Sequence, residues 1–212
     1  MFPPVEWADE DGLLAIGGDL EVETLHTAYR SGIFPWPVEG LPLLWFAPPQ
    51  RAILRFDEFH ISRSLRKLLR RQTFEMRIDC EFETVIRSCA ARREYADGTW
   101  ITEEMIEAYL RLYHAGDAHS VETYLDGELV GGLYGVSFGA YFCGESMFFT
   151  ASGASKAALI HLVEYLKMCG ATWLDVQMMT PLFAGFGARE VPRAEFNAML
   201  QHAFAQPPCF VI

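Results

Sequence analysis

The sequence predicts an α+β fold, and three observations support that prediction. Apolar residues recur at helical spacing in several stretches of the first half of the chain. From residue 119 onwards, the pattern predicts three strands joined by tight turns, followed by a helix and a fourth strand. Local composition and predicted class both change near the middle, so we expect one domain over residues 1–97 and another over residues 98–212.

The N-terminal segment combines irregular chain, a short helix and an aromatic region. Residues 1–18 are rich in glycine and proline, which predicts irregular chain. A helix is expected over residues 21–31, because Gly32 follows it as a C-terminal cap. The segments 33–37 and 44–49 carry closely spaced prolines, which exclude a helix or a central strand. We expect a rigid aromatic wall there, either for packing or for stacking on a base.

One strand and two helices are predicted in the remainder of the first half. The strand covers residues 52–56, and the second helix covers residues 82–91. Between them, residues 60–71 predict a helix with an apolar face and a basic face. A basic face of this kind can bind phosphates, although more often it is only solvated. The candidate contacts for nucleic acid are Arg63, Arg66, Lys67, Arg70 and Arg71.

The second half begins with a helix and continues mainly as strands. Thr102 is a good N-cap, and the two glutamates after it favour a helix that ends near Gly116. Asp126-Gly127 predicts a tight turn between two strands of a hairpin. The elements expected after residue 119 are strand, strand, strand, helix, strand, helix and strand, over residues 120–125, 128–138, 140–149, 154–168, 172–177, 193–204 and 209–212.

Composition argues against several classes of protein. No run approaches about 18 apolar residues, and the N-terminus lacks the basic and apolar regions of a secretory signal. Five scattered cysteines without a C-x-x-C pair argue against zinc and disulfides, and they favour a cytoplasmic location. No metal is expected. The net charge of −11 disfavours nucleic acid, yet 11 of the 17 Lys and Arg residues lie between residues 51 and 93.

Three polar residues indicate a site in the second half. Glu145 lies in an otherwise apolar stretch, while Asp175 and Gln177 are two apart and share one face of a short strand. Leaving such groups in apolar surroundings costs roughly 1–3 kcal/mol each unless they are hydrogen-bonded. A site for a polar substrate would explain them, as would a salt bridge or a strand-end hydrogen bond.

The order of three strands, a helix and a further strand resembles the fold of GNAT acyltransferases. In that fold the helix after the third strand points its N-terminus towards the acyl donor. The corresponding residues 150–156 contain glycine but lack the pyrophosphate-binding pattern of coenzyme A enzymes. An acyl-CoA-dependent N-acyltransferase is therefore one alternative for the function.

Nine segments in register resemble a more specific family. They lie at residues 12–20, 32–36, 60–64, 98–102, 118–122, 129–135, 143–148, 175–177 and 186–193. With these segments the chain resembles the bacterial leucyl/phenylalanyl-tRNA–protein transferases over nearly its whole length. The sequence departs from the family pattern over residues 178–185, next to the position expected for the attacking amine.

The resemblance implies an aminoacyl transferase. Such an enzyme moves Leu, Phe or, less well, Met from aminoacyl-tRNA to the N-terminal Arg or Lys of a protein and thereby marks the protein for degradation. It implies an N-terminal mixed α/β domain packed on a C-terminal GNAT-like domain, with no cofactor, metal or membrane. A non-catalytic module that binds such N-termini or RNA is the alternative from another class.

The family's site residues can be carried over by position. Glu145 would hold the amino group of the donor, Gln177 would orient the attacking amine, and Asp175 would polarise Gln177. Either Asp175 or a ribose hydroxyl of the tRNA would take the proton. The pocket for the aminoacyl side chain falls on Leu133, Met147, Leu159, Leu162, Leu166 and Leu174, and the aromatic positions fall on Trp36, Trp100 and Tyr109. Spacing alone would assign the three leucines of the helix to the core.

Overall fold

Ten strands and seven α-helices account for most of the part of the chain that the structure, a computed structural model, describes: residues 1–38, 40–71, 73–91 and 100–210. The first eight elements are β1 (Leu13–Ile16), α1 (Val22–Arg30), β2 (Phe34–Trp36), β3 (Leu44–Phe46), β4 (Gln50–Arg55), α2 (Arg63–Leu69), β5 (Glu75–Ile78) and α3 (Phe82–Ala90). The others are α4 (Glu103–His114), β6 (Ala118–Leu125), β7 (Glu128–Phe138), β8 (Tyr141–Phe149), α5 (Ala154–Met168), β9 (Trp173–Gln177), α6 (Pro181–Gly185), β10 (Arg189–Pro192) and α7 (Arg193–Phe204).

A seven-stranded sheet organises the fold, in the order β10-β4-β9-β8-β7-β6-β5. Strands β6, β7 and β8 are antiparallel neighbours, and helix α5 then crosses over so that β9 lies parallel to β8. Strands β1, β3 and β2 form a separate small sheet. The α+β class and the predicted order of three strands, a helix and a strand are thus confirmed.

Two apolar clusters lie on the two faces of the large sheet. Helix α5 covers one face with Leu159, Leu162 and Leu166, which are all fully or almost fully buried. Helices α1, α3, α4 and α7 contribute to the cluster on the other face. This arrangement encloses the middle of β8 and β9 in protein, which is where the polar residues of interest lie.

Several local signals in the sequence act as predicted. The Thr102 hydroxyl accepts a hydrogen bond from the Met105 N–H and caps α4. Gly32 has φ +74° directly after the end of α1. Asp126 and Gly127 both have positive φ and turn β6 into β7. Each of these residues fixes where an element ends.

Other expectations were wrong or incomplete. Residues 13–16 form β1 inside the segment expected to be irregular. Residues 44–46 form the central strand of the small sheet, because the prolines of that segment come only after the strand ends. Strands β5 and β10 and helix α6 were not predicted from the sequence. Cys209 and Phe210 do not form the expected final strand, whose residues 211–212 lie outside the described residues.

The predicted domain boundary lies outside the described part of the chain. Residues 92–99, which include the junction between 97 and 98 and the start of one family segment, are not among the described residues. The large sheet takes β4 and β5 from before this junction and five strands from after it. The boundary therefore stays a prediction. No helix among the described residues is long and apolar enough to cross a membrane.

The close approach of β7 and β8 predicts a sharp effect of one substitution. A Cβ atom on Gly135 would lie 2.1 Å from the Cys143 carbonyl oxygen and 2.4 Å from the Phe142 ring. Because a backbone atom cannot move aside, Gly135→Ala should lower the free energy of unfolding by about 3 kcal/mol, the upper end of the usual overpacking cost. Urea unfolding measures this. Gly185→Ala is the control, since its Cβ would meet no atom within 4 Å, and it should stay within about 1 kcal/mol of wild type.

Candidate active site

The candidate site is a cavity where β8 and β9 separate. The two strands pair in parallel only at Cys143 and Asp175. Beyond that point residues from both strands line a cavity of about 230 Å³, and Leu159 and Leu162 of α5 form one wall. A crossover helix and two diverging parallel strands therefore create the space.

Most of the residues predicted for the pocket do line this cavity. Leu133, Met147, Leu159, Leu162 and Leu174 are all in its wall. Leu166 is fully buried in the same apolar cluster but does not reach the cavity. The other described residues of the wall, which were not predicted from the sequence, are Tyr134, Gly144, Ser146, Val176, Met178, Thr180, Leu182 and Phe183.

Two tryptophans stand together in the cavity wall. The rings of Trp36 and Trp100 are stacked, with centroids 5.3 Å apart and planes 15° apart. Trp36 belongs to the edge strand β2 of the small sheet, and Trp100 precedes α4. The aromatic segment of the N-terminal half thus contributes directly to the site.

Glu145 is the carboxylate of the cavity, and three side chains hold it. Its Oε1 accepts hydrogen bonds from the Tyr29 hydroxyl (2.8 Å) and from Gln177 Nε2 (2.9 Å). Its Oε2 accepts one from the Tyr109 hydroxyl (3.2 Å), and the two tyrosine hydroxyls also contact each other. Tyr109 therefore takes part in the site through Glu145 and not as a wall residue.

The surroundings alter the acidity of these groups. Burial raises the pKa of Glu145, and the hydrogen bonds from Tyr29, Gln177 and Tyr109 partly oppose that rise. Burial and the charge of Glu145 raise the pKa of Tyr29 and Tyr109 well above the ordinary value. Both tyrosines consequently remain protonated and able to donate to the carboxylate.

Asp175 lies behind the cavity wall, in a fully buried network. Arg51 donates to it through Nε (2.9 Å) and Nη2 (2.8 Å), and the Tyr141 hydroxyl donates at 2.7 Å. Burial alone would lower the pKa of Arg51, but the adjacent carboxylate outweighs burial and raises it. The guanidinium also lies over the rings of Phe34 and Phe196. Asp175 is therefore a paired carboxylate that does not face the cavity.

Gln177 has an unusual backbone conformation that aims its side chain into the cavity. Its φ is +61°, and the Met178 N–H donates to the Val176 carbonyl at 2.7 Å across a three-residue turn. Such a conformation costs of order 1–3 kcal/mol in a residue other than glycine. The Asp175 carboxylate accepts the Gln177 N–H at 2.8 Å and thereby stabilises the turn.

The three polar residues do converge, but in a different arrangement from the one expected. The Gln177 amide contacts Glu145 and, at 3.3 Å, the Cys143 sulfur. Asp175 accepts a hydrogen bond from the backbone N–H of Gln177 and does not contact the side-chain amide. Sequence reasoning missed Arg51, Tyr29 and Tyr141. The only local signal for Arg51 is its position as a lone arginine directly before the apolar residues 52–54.

The basic residues predicted to bind tRNA lie together on α2 and directly after it. Arg63, Arg66, Lys67, Arg70 and Arg71 line one depression of the surface. None of them forms an ion pair with another residue in the described ranges. No group of three His, Cys, Asp or Glu side chains that could hold a metal ion occurs among the described residues.

Known proteins resemble the chain over most of its length. Residues 53–201 match the family model for leucyl/phenylalanyl-tRNA protein transferase, and residues 18–49 match the model for the N-terminal domain of that family. The leucyl/phenylalanyl-tRNA–protein transferase of Pseudomonas fluorescens is 51% identical over 208 residues, which are 97% of this chain and 92% of that one. The transferase of Aromatoleum aromaticum is 53% identical, over 94% of this chain and 85% of its own.

The chain also resembles some solved structures, at lower identity. A GCN5-related N-acetyltransferase-like protein from Streptococcus suis shares 14% identity and covers 80% of this chain and 63% of its own, with a TM-score of 0.36. A similarity at that level carries no functional argument. The family models and the relatives with about half of their residues identical show that the chain belongs to the leucyl/phenylalanyl-tRNA–protein transferase family of enzymes.

Proposed function

We propose that the protein transfers Leu, Phe and, less well, Met from aminoacyl-tRNA to the N-terminal Arg or Lys of other proteins, which marks those proteins for degradation. One observation carries the proposal: an apolar cavity has a single carboxylate among the described residues of its wall, and a glutamine from the neighbouring strand is hydrogen-bonded to that carboxylate. Membership of the family supports the same reaction. The cytoplasmic location stays a prediction.

The cavity suits the side chain of the donor amino acid. Its volume of about 230 Å³ lies below the roughly 300–1,000 Å³ of pockets that enclose drug-sized ligands. Leucine and methionine side chains line it, so a leucyl group should be favoured over an alanyl group by roughly 1.5–3 kcal/mol. Flexible aliphatic walls should discriminate poorly between Leu and Met.

Glu145 is placed to hold the amino group of the donor. An ionised carboxylate offers about four lone-pair sites. Tyr29, Tyr109 and Gln177 occupy three of them, so about one remains for a donor ammonium in the cavity. The raised pKa of Glu145 reflects the cost of burying its charge, and a cation bound beside it would offset that cost.

For this reaction the enzyme has to position the aminoacyl ester and the acceptor amine, and it does not have to supply a nucleophile of its own. The aminoacyl ester is already activated: the acceptor amine attacks its carbonyl carbon, a C–N bond forms, and the ester C–O bond to the ribose breaks. Burial raises the pKa of Cys143 well above the usual thiol value, which supports the absence of a thiolate nucleophile. The attacking α-amine has an ordinary pKa of roughly 7.7–8.0, so part of it is already neutral near pH 7.

Gln177 and Asp175 have different parts in this proposal. Gln177 orients the attacking amine, and Asp175 fixes the backbone turn from which Gln177 projects. The Asp175 carboxylate accepts hydrogen bonds from Arg51, Tyr141 and the Gln177 N–H. Because these bonds fill its acceptor sites, we assign Asp175 a positioning role. The proton lost by the amine then ends on the departing ribose oxygen.

The tRNA would contact two other regions. The stacked Trp36 and Trp100 would pack against the terminal base, since every base has a π-face. The basic residues of α2 would contact backbone phosphates. The alternative donor, acyl-CoA, is disfavoured because residues 150–156 lack the pyrophosphate-binding pattern of coenzyme A enzymes. Within that loop, Gly153 lies close to Leu68 of α2.

Transfer of radiolabelled leucine tests the proposed function directly. We expect label on a peptide that begins with Arg and none on a matched peptide that begins with Ala. Free leucine with ATP, and acetyl-CoA in place of charged tRNA, serve as controls and should give no product. Product from acetyl-CoA alone would instead support the N-acyltransferase alternative and contradict the proposal.

Gln177→Ala should lower kcat by roughly 10²-fold or more, because a misplaced nucleophile forfeits the rate gained from orientation. The KM for the donor should change little, and single-turnover kinetics separates the two effects. Thr172→Ala, at an exposed position directly before the same strand and outside the cavity lining, is the matched control and should retain activity. Asp175→Ala is a poorer test, since it leaves Arg51 buried without its partner at a cost of roughly 3–5 kcal/mol. Normal turnover in Gln177→Ala would remove this residue from the mechanism.

Leu162→Trp should abolish use of a leucyl donor, because the indole would fill the cavity from the α5 wall. Binding of 3′-O-leucyl-adenosine, followed by calorimetry, reports on the cavity without the rest of the tRNA. Met168→Trp places the same side chain on an exposed position of the same helix and should bind the donor normally. Unchanged binding in both variants would show that Leu162 does not contact the donor.

A further inference from the structure

A second depression adjoins the aminoacyl cavity and is not explained by it. It lies between the start of α2, the first turn of α5 and the short helix α6. Leu182 belongs to its lining and also to the lining of the cavity. Lys156, Ser62 and Ser64 supply its polar groups, and Leu65 is part of its apolar lining. This groove, defined by those five residues, therefore leads from the surface of α2 to the cavity.

We propose that this groove binds the unpaired 3′ end of the tRNA, with Lys156 contacting a backbone phosphate close to the terminal nucleoside. The inference rests on the proposed function and adds to it a binding site outside the cavity and outside the basic face of α2. It assigns to Lys156 a role in binding the donor and none in the chemical step.

The chemistry of the groove favours a phosphodiester chain. Lys156 is exposed and forms no ion pair with another described residue, so its charge is available. The Ser62 hydroxyl caps α2, and the Ser64 hydroxyl beside it contacts Ser62 Oγ at 3.1 Å. Ammonium and hydroxyl groups are common contacts for phosphate oxygens. No acidic side chain is among the described residues that line the groove.

The position of the groove also favours this occupant. The five basic residues on α2 and directly after it line a separate depression. Helix α2 has seven residues and is about 10 Å long. A strand of nucleotides can therefore pass from the basic face of α2, along Lys156 and past Leu182, and deliver its aminoacyl end to the cavity. An acceptor polypeptide fits less well, because its N-terminal Arg or Lys would meet the charge of Lys156.

The test compares two donors in the full-length protein. One is Leu-tRNA, and the other is 3′-O-leucyl-adenosine, which ends at the terminal nucleoside and cannot reach the groove. We expect Lys156→Glu to raise the KM for Leu-tRNA about tenfold and to reduce the salt dependence of its binding. The KM for the short donor should stay within about twofold of wild type. Lys156→Arg should behave almost as wild type.

Lys167→Glu is the matched control. It makes the same change of charge on the same helix, eleven residues and hence about 16 Å farther along, and it should leave both donors unaffected. Equal effects of the two variants on Leu-tRNA would overturn the proposal, because the net charge alone would then explain them. A similar rise in KM for both donors would also overturn it, and a rise only for the acceptor peptide would assign the groove to the polypeptide.

Filter binding of Leu-tRNA in the absence of acceptor separates this proposal from the proposed function. If wild-type protein binds Leu-tRNA without transferring leucine, the transferase assignment fails, while weaker binding by Lys156→Glu still supports the groove. If wild type transfers leucine and both glutamate variants bind Leu-tRNA equally well, the groove fails and the transferase assignment stands. Thermal unfolding of each variant confirms that the fold is retained.

Discussion

The site depends on one buried ion pair, between Arg51 and Asp175. Two charges taken out of water cost several kcal/mol each, and only close geometry with further hydrogen bonds repays that cost. Here the Asp175 carboxylate accepts hydrogen bonds from Nε and Nη2 of Arg51 and a further one from the Tyr141 hydroxyl. Asp175 thereby has a fixed position from which it accepts the Gln177 N–H. The strained turn at Gln177 is stabilised because the Asp175 carboxylate, which accepts its N–H, is held in a fixed position.

From that pair a chain of hydrogen bonds passes through the site to the N-terminal half. The Gln177 amide contacts Glu145, and Glu145 accepts from Tyr29 on α1 and Tyr109 on α4. Apart from Arg51 Nη1, which has no hydrogen-bond partner among the described residues, these buried groups satisfy one another, so loss of one partner leaves the others with an unmet desolvation cost. The cavity is formed by β8, β9 and α5, while the orientation of its carboxylate is set by helices that precede them in the chain.

Short-range patterns in the sequence predicted most of the elements, although not β1, β5, α6 or β10, and they did not predict pairings over long distances. The spacing of Asp175 and Gln177 placed both on one strand, and the leucines of α5 were assigned to one helix face. Nothing local shows that residues 50–55 pair with β9, although that pairing brings Arg51 to Asp175 across more than 120 positions. Likewise Leu162 and Leu166 share a helix face, yet only the former reaches the cavity, because the divergence of β8 from β9 decides where the cavity ends.

The distribution of charge then has a consequence for how an RNA can approach. The protein carries a net charge of −11, so most of its surface repels a polyanion. One local exception is the group of basic side chains on α2 and at its C-terminal end, which form no ion pair among the described residues, together with Lys156 in the adjoining groove. At physiological salt, charges act over about 8 Å, so this basic region attracts phosphates locally while the acidic remainder disfavours other orientations. If tRNA binds at α2 as proposed, repulsion by the rest of the acidic surface would add to the specificity that attraction at α2 provides.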